Sequence, residues 1–262
     1  MKLRAALLIP LWMWGCARQE PTAPPAADPI FRPRILASLP HDPEAFTQGL
    51  LIDGRYWLES TGRYGRSELR EVLRETGEVV RRVPLASRYF GEGLALWQGR
   101  LFQLTWRERT AIVYDRETFE EIGRFEYEGE GWGLTSNERY LLMSDGSSRI
   151  RVIDPETFME LRRFQVRGAQ GPVTRLNELE WINGELWANI FQTNWIVRFE
   201  PETGRVLGFL DLHHLPLPEH RTGGEDVLNG IAVDPESGEI WVTGKLWTRL
   251  YRLEWPPPEV VP

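Results

Sequence analysis

Polar or aromatic groups recur along this chain at one fixed place in a repeat. Gln48, Glu92, Trp132 and Asn229 each stand directly before a glycine and an aliphatic residue: Gly49-Leu50, Gly93-Leu94, Gly133-Leu134 and Gly230-Ile231. Asn177 holds the same place in a further copy, where Glu178 replaces the glycine before Leu179. A carboxyl, carboxamides and an indole therefore occupy equivalent points. Such a set could run general acid–base chemistry through Glu92. Alternatively, Glu92, Asn177 and Asn229 offer hard oxygen ligands of the kind calcium takes. A third reading is an inert plug whose polar groups satisfy one another and trapped water.

A second set follows in the turn after the next apolar run of each copy. It comprises Glu59-Ser60-Thr61, Thr105-Trp106, Ser144-Asp145, Asn189-Ile190-Phe191 and Thr243-Gly244-Lys245. Lys245 stands out because the chain takes nearly all its positive charge from arginine, Lys2 being the other lysine. An ordinary surface lysine is one reading. The preference for arginine elsewhere hints instead that a compact ammonium is needed here.

The elements that must position these residues are legible as well. Apolar runs at 56–59, 101–105, 140–144, 186–189 and 240–243 follow the marked residues. In most copies a third run then ends at an acidic turn, such as Arg74-Glu75-Thr76-Gly77 or Pro155-Glu156-Thr157-Phe158, and a fourth leads on. Four short strands in each roughly 40–50 residues predict the blades of a β-propeller. The fifth copy stops after its third run, 250–254, and meets Trp255-Pro256-Pro257-Pro258, which cannot extend a ladder. A spare run, 34–39, precedes the first copy. The expected fold is all-β: a five-bladed propeller over 34–255, four strands per blade, with the N-terminal strand closing the last blade. A β-sandwich is the competing arrangement. In a propeller the innermost strands line a central channel, so the marked residues should converge at its mouth.

Composition narrows the partners. Net charge is −7 with no basic patch, which argues against nucleic acid. Twelve tryptophans suit the flat packing between blades, so most are expected in the core. His41, His213, His214 and His220 do not form a zinc signature. His213-His214 lie in a proline-rich insertion that reads as a surface loop. At the N-terminus, Lys2 and Arg4 precede an apolar stretch at 5–14, too short to span a bilayer, which reads as a signal peptide. Residues 1–16 end in Gly15-Cys16, like a bacterial lipoprotein box, although Met13 and Trp14 are atypical there. Residues 17–33 read as an Ala/Pro-rich tether and 256–262 as a proline-rich tail. The protein is thus expected to be exported and lipid-anchored through Cys16 at the bacterial cell envelope, or else secreted or periplasmic. Cys16 is the single cysteine, so no intrachain disulfide forms.

Ordered motifs carry a family resemblance. They are Phe46-Thr47-Gln48-Gly49-Leu50, Glu59-Ser60-Thr61-Gly62, Phe90-Gly91-Glu92-Gly93-Leu94, Gln103-Leu104-Thr105-Trp106, Gly131-Trp132-Gly133-Leu134, Leu176-Asn177-Glu178-Leu179, Trp187-Ala188-Asn189 and Thr243-Gly244-Lys245-Leu246-Trp247. Together they resemble the plant and bacterial glutaminyl-peptide cyclotransferases over residues 34–255. The resemblance implies a five-bladed propeller that converts the N-terminal glutamine of a peptide or protein into pyroglutamate and releases ammonia. It implies Glu92 as the catalytic carboxyl, with Lys245 and Asn177 beside it. It also implies a pocket lined by Phe46, Gln48, Phe90, Trp106 and Trp132. Phe191 departs from the tryptophan of plant members, keeping an apolar wall but losing the indole N–H. No cofactor is implied, and a structural calcium is compatible with the sequence but not required by it. Contact with a membrane is expected only through the lipid anchor. Two other functions stay open at this stage: a metal-dependent, lactonase-like propeller hydrolase and a non-catalytic propeller that binds peptide ends.

The implied reaction suits the residues. An ordinary α-amino group titrates at about 7.7–8.0 and must attack its own γ-carboxamide as the free amine. Glu92 would accept a proton from that amine and return it to the departing nitrogen. Lys245 or Asn177 would stabilise charge growing on the γ-carbonyl oxygen. Surrounding indoles would raise the Glu92 pKa and Lys245 would lower it. From sequence, the balance between the two is open.

Overall fold

Short runs of β-branched, aliphatic and aromatic residues, punctuated by Gly and Asx turns, form the strands of the computed structural model, which describes residues 28–215, 226–257 and 260–261. Blade I is built from Thr47–Asp53, Tyr56–Thr61, Glu68–Leu73 and Val79–Pro84, each antiparallel to the next. Blade II runs Gly91–Trp97, Arg100–Thr105, Thr110–Asp115 and Glu121–Glu126. Blade III has shorter inner strands, Leu134–Ser136 and Leu141–Met143, then Arg149–Ile153 and Glu160–Gln165. Blade IV comprises Leu176–Ile182, Glu185–Ile190, Trp195–Phe199 and Val206–Asp211. Blade V takes Leu228–Val233, Ile240–Gly244 and Arg249–Leu253 from the C-terminal part, and its outer strand, Ile35–Pro40, from the N-terminal part. The expected ring closure is therefore present. Trp57, Trp97, Trp187, Trp195, Trp241 and Trp247 are buried, as packing between blades demands.

The sheet continues past the boundaries expected at 34 and 255. Ile30–Phe31 pairs parallel with the outer strand of blade IV, and Val260–Val261 pairs antiparallel with Ile30–Phe31. The end of the expected tether and part of the proline-rich tail thus cover an edge that would otherwise present unpaired backbone groups. Side chains fasten this cover. Arg32 donates to Asp211 Oδ2 through Nε at 3.2 Å and Nη2 at 2.5 Å. Phe31 and Trp255 meet edge to face at 5.3 Å, and the Arg198 guanidinium lies 4.3 Å from the Trp255 ring centre. The segment expected to be a signal peptide, Cys16 and His220 lie outside the described residues.

The glycine of the repeat has a steric cause. A Cβ on Gly49 would lie 2.5 Å from Leu94 N, one on Gly93 2.3 Å from Leu134 N, and one on Gly133 2.0 Å from Asn177 O. Neighbouring inner strands touch backbone to backbone at the axis. Only glycine permits that approach. In blade IV the contact to the next blades is made by a side chain instead, which is why Glu178 stands in the glycine position. Its Oε2 accepts from Ile231 N at 2.9 Å, and Leu50 N also bonds the carboxyl. On the same face, Glu180 Oε1 accepts from Val233 N at 3.0 Å and Oε2 from the Thr135 hydroxyl at 3.4 Å.

Burial pushes Glu178 well above the usual carboxylate range, with the neighbouring Glu180 adding to the rise. Burial likewise raises Glu180 from 4.5 to about 8, its hydrogen bonds opposing the rise. A carboxyl raised by folding costs stability only above its unfolded pKa, and the cost grows until the pH reaches the folded value. For Glu180 the window runs from 4.5 to about 8. Glu180→Gln keeps an acceptor for Val233 N and offers a donor to the Thr135 hydroxyl. The variant should be more stable than the parent at about pH 7, by on the order of 3 kcal/mol, and no different near about pH 4. Urea midpoints at the two pH values check this. Equal gains at both would mean that titration is not the cause.

Candidate active site

The marked residues stand at or just before the start of the inner strands, so their side chains reach the same end of the channel. A cavity of about 300 Å3 opens there, lined by Phe46, Gln48, Phe90, Glu92, Trp106, Trp132, Asn177, Phe191, Asp226 and Lys245. Every catalytic and binding residue expected from the sequence is in that lining. Asp226 is an addition. Asn229 departs from the expected ring: it sits behind the wall, its Nδ2 donating to Thr47 O at 3.0 Å and Gln48 Oε1 at 3.3 Å. That bond orients the Gln48 carboxamide, whose Nε2 donates to Glu92 Oε1 at 3.3 Å. One oxygen of Glu92 is thereby held.

Glu92 is only 5 % exposed. Burial raises its pKa well above the usual carboxylate range, against the opposing pull of the Lys245 ammonium and with help from the Glu130 and Glu108 carboxylates. Burial wins the balance. Lys245, 4 % exposed, is lowered by the same loss of hydration, while Glu92 and Asp226 counteract. Its Nζ lies 4.9 Å from the Phe46 ring centre and 5.1 Å from that of Phe191, so two phenyl faces flank the ammonium.

The turn that carries Lys245 is tightly docked. A Cβ on Gly244 would fall 2.2 Å from Trp247 Cε2, so the turn folds directly over that indole. Leu246 has φ of +62° and donates its N–H to Ala45 O at 2.7 Å. His41 Nδ1 lies 2.7 Å from Trp247 O and its Nε2 lies 3.0 Å from Glu59 Oε1. Glu59, in the second set of turn residues, is therefore committed elsewhere. It accepts from Arg70 Nη2 at 2.6 Å and from the Thr47 hydroxyl at 2.7 Å, beside a separate, water-sized cavity. Burial alone would raise its pKa, but Arg70 and His41 outweigh that and hold it well below the usual range. Asp145 accepts from Ser147 N at 3.0 Å within its own turn. Ser144 is structural: its hydroxyl donates to Asn177 O at 2.7 Å and accepts from Gly133 N at 2.8 Å.

Asn177 Oδ1 is fully buried and has no hydrogen-bond partner among the described residues. Asn177 is itself a residue of the cavity lining. Among the described residues, no three His, Cys, Asp or Glu side chains group as a metal site would require. Of the oxygen groups considered for calcium, Glu92 and Asn177 line the cavity and Asn229 does not; its Nδ2 serves Gln48 and its Oδ1 has no partner among the described residues.

A family model described as glutamine cyclotransferase matches residues 6–255. The chain belongs to the glutamine cyclotransferase family. It is 42 % identical over 224 residues to the glutaminyl-peptide cyclotransferase of Arabidopsis thaliana, a match covering 84 % of this chain and 70 % of the relative. The crystal structure of Myxococcus xanthus glutaminyl cyclase aligns with a TM-score of 0.83 and 35 % identity, covering 90 % of this chain and 100 % of that one. The β-propeller domain of Cps50 (Swd1) from Myceliophteria thermophila, at 11 % identity and TM-score 0.50, covers 84 % and 99 % and shares the fold alone.

In this family member, Asp226 and Glu130 are acidic residues near the site that the sequence motifs did not single out. Asp226 lies at the end of the insertion read as a surface loop, where nothing local marks it. Glu130 did leave a signal. It stands two residues before Trp132, as Phe46 and Phe90 stand before Gln48 and Glu92, so in extended chain it shares a face with the wall. Phe191, the departure from the family's tryptophan, lines the cavity and meets Trp132 edge to face at 5.3 Å.

Proposed function

We propose that this family member converts the N-terminal glutamine of peptides or proteins into pyroglutamate and ammonia, with Glu92 as the proton carrier. The observation behind the proposal is the buried Glu92 carboxyl, one oxygen held by Gln48, facing an aromatic cavity that also holds Lys245. The free α-amine attacks the γ-carbonyl carbon and a C–N bond forms. The attacking nitrogen passes one proton to the Glu92 carboxylate. Glu92 returns that proton to the γ-nitrogen as its bond to carbon breaks and ammonia leaves. No proton is gained or lost overall. A raised Glu92 pKa lies nearer to that of the amine, which favours transfer in both directions. The Lys245 ammonium stabilises charge on the γ-carbonyl oxygen, and Asn177 Oδ1 accepts from the substrate's nitrogen. Phe46, Phe90, Trp106, Trp132 and Phe191 hold the side chain folded, so that amine and carboxamide meet as parts of one molecule.

The test is mass spectrometry of a Gln-initiated peptide incubated with the purified protein, with and without chelator. Loss of one ammonia in both conditions is expected, since the steps above need no metal. Turnover abolished by chelator and restored by one divalent ion would shift the reaction to a metal centre. A partial loss that tracks a lower thermal midpoint would mark a structural calcium. Binding without mass change would leave a peptide-binding propeller.

The same proposal places the enzyme at the bacterial cell envelope, anchored through lipid on Cys16 and otherwise secreted or periplasmic. The apolar leader ending in Gly15-Cys16 supports it. Cys16→Ser should move the protein from the membrane fraction to the soluble one. Wild-type protein that is already soluble and starts beyond Cys16 would overturn the anchor.

A further inference from the structure

The aromatic wall is tied from behind by a carboxylate outside the cavity lining. The indole N–H of Trp106, in the turn of blade II, donates to Glu130 Oε2 at 2.7 Å. The indole N–H of Trp132, at the entry to blade III, donates to the same oxygen at 3.0 Å. Arg107 Nε donates to Oε1 at 3.1 Å, and its guanidinium lies 3.8 Å from the Trp106 ring centre. We propose that Glu130 is a positioning residue for the reaction: by gathering both indole N–H groups on one carboxylate oxygen, it sets the separation of the two aromatic faces that grip the folded glutaminyl side chain. The inference rests on the cyclotransferase reading above.

Three features support it. First, the backbone beside Glu130 has no slack. Gly131 N donates to Trp106 O at 3.1 Å, Trp132 N donates to Ser144 O at 3.0 Å, and a Cβ on Gly131 would lie 2.2 Å from Tyr127 Oη. Second, apart from the Arg107 guanidinium over Trp106, the indole rings are held by packing. Trp132 lies against Gly146, where a Cβ would be 2.7 Å from Cζ2, and against Phe191. Trp106 meets Phe90 edge to face at 5.7 Å. Such contacts limit tilt, but a hydrogen bond also fixes which edge of each ring faces the cavity. Third, Glu130 keeps its charge. Partial burial works against the anion, yet hydrogen bonds from Trp132, Trp106 and Arg107 outweigh it and hold the carboxyl below its usual range. Charge-assisted bonds of this kind are about twice as strong as neutral ones. The same anion contributes to the raised pKa of Glu92.

The test combines kinetics with a readout that needs no turnover. Glu130→Ala and Glu130→Gln are made in the wild type and in a Trp106→Phe/Trp132→Phe background, which keeps aromatic walls but has no N–H to tie. KM and kcat are measured for a Gln-initiated peptide, and the two indole N–H resonances are followed by NMR. Glu130→Ala should raise KM about tenfold with a smaller change in kcat, and shift both indole resonances upfield. Glu130→Gln keeps one oxygen acceptor without the charge and should recover most of the KM. It should also move the acid limb of kcat/KM to lower pH, because the anion near Glu92 is gone. In the double-Phe background, Glu130→Ala should change KM by less than about twofold. An equal KM rise in both backgrounds, or unmoved indole resonances, would overturn the tether. An active wild type with unchanged KM in Glu130→Ala would sink the tether alone. A folded wild type that never cyclises the peptide would sink the cyclotransferase reading, and the positioning role with it, even if the resonances shift.

Discussion

Glu92→Gln should cut kcat by about 10²–10⁴ while leaving the fold and peptide affinity near the parent's. The substituted carboxamide is almost isosteric and can still accept from Gln48 Nε2, the bond that holds Glu92 Oε1 at 3.3 Å. What it cannot do is carry a proton between nitrogens. That transfer belongs to the transition state, so the loss falls on kcat more than on KM. Stability should not suffer. Folding raises the Glu92 pKa, so the ionised group costs stability above the ordinary carboxylate pKa and costs nothing below it. The variant is therefore expected to be at least as stable as the parent at neutral pH and equal to it in acid. Trp106→Ala and Trp132→Ala should behave differently, raising KM through lost wall contacts. Steady-state kinetics with a thermal midpoint for each variant separates the cases. Near-parental kcat in a folded Glu92→Gln would assign the proton to another group. Glu59, Asp145 and Glu178 do not line the cavity, so Asp226 would be examined first.

Gly133→Ala should be the most destabilising single-methyl change at the axis, by about 3 kcal/mol, the upper end of ordinary overpacking costs. The added Cβ would sit 2.0 Å from Asn177 O, 2.8 Å from Asn177 C and 2.8 Å from Glu178 Cα. These are backbone atoms of the next blade. Relief requires moving a whole inner strand, and that movement displaces Asn177 from the cavity. Activity should therefore fall even in the fraction that stays folded. Gly123→Ala is the control: nothing lies within 4 Å of its added Cβ, and stability should hardly change. Urea midpoints of the two variants decide the matter. Parental stability for Gly133→Ala would show that the inner strands have room to shift and that the repeated glycine has another cause.

The sequence alone determined the propeller, its closure and the identity of the cavity wall. The reason is that these features repeat or are local. A glycine is demanded wherever two inner strands touch, so Gly49, Gly93 and Gly133 mark the blades, and the residues beside them must face the axis. Phe46 and Phe90 were legible through the family resemblance, not through the repeat. Only the tertiary structure decided how the polar groups pair, because their partners come from distant parts of the chain. Asn229 turns to Gln48 from the opposite end of the domain. Glu59 is claimed by Arg70 and His41 instead of the cavity. Glu178 and Glu180 each spend an oxygen on a backbone N–H group of blade V. Asp226 reaches the site through its backbone bond to the Lys245 turn, Asp226 N donating to Lys245 O at 2.9 Å. The direction of the Glu92 pKa was also beyond the sequence. It depends on how completely the assembled blades exclude water around that carboxyl, and on how near Lys245 and Glu130 come to rest, quantities that arise only when separate blades pack together.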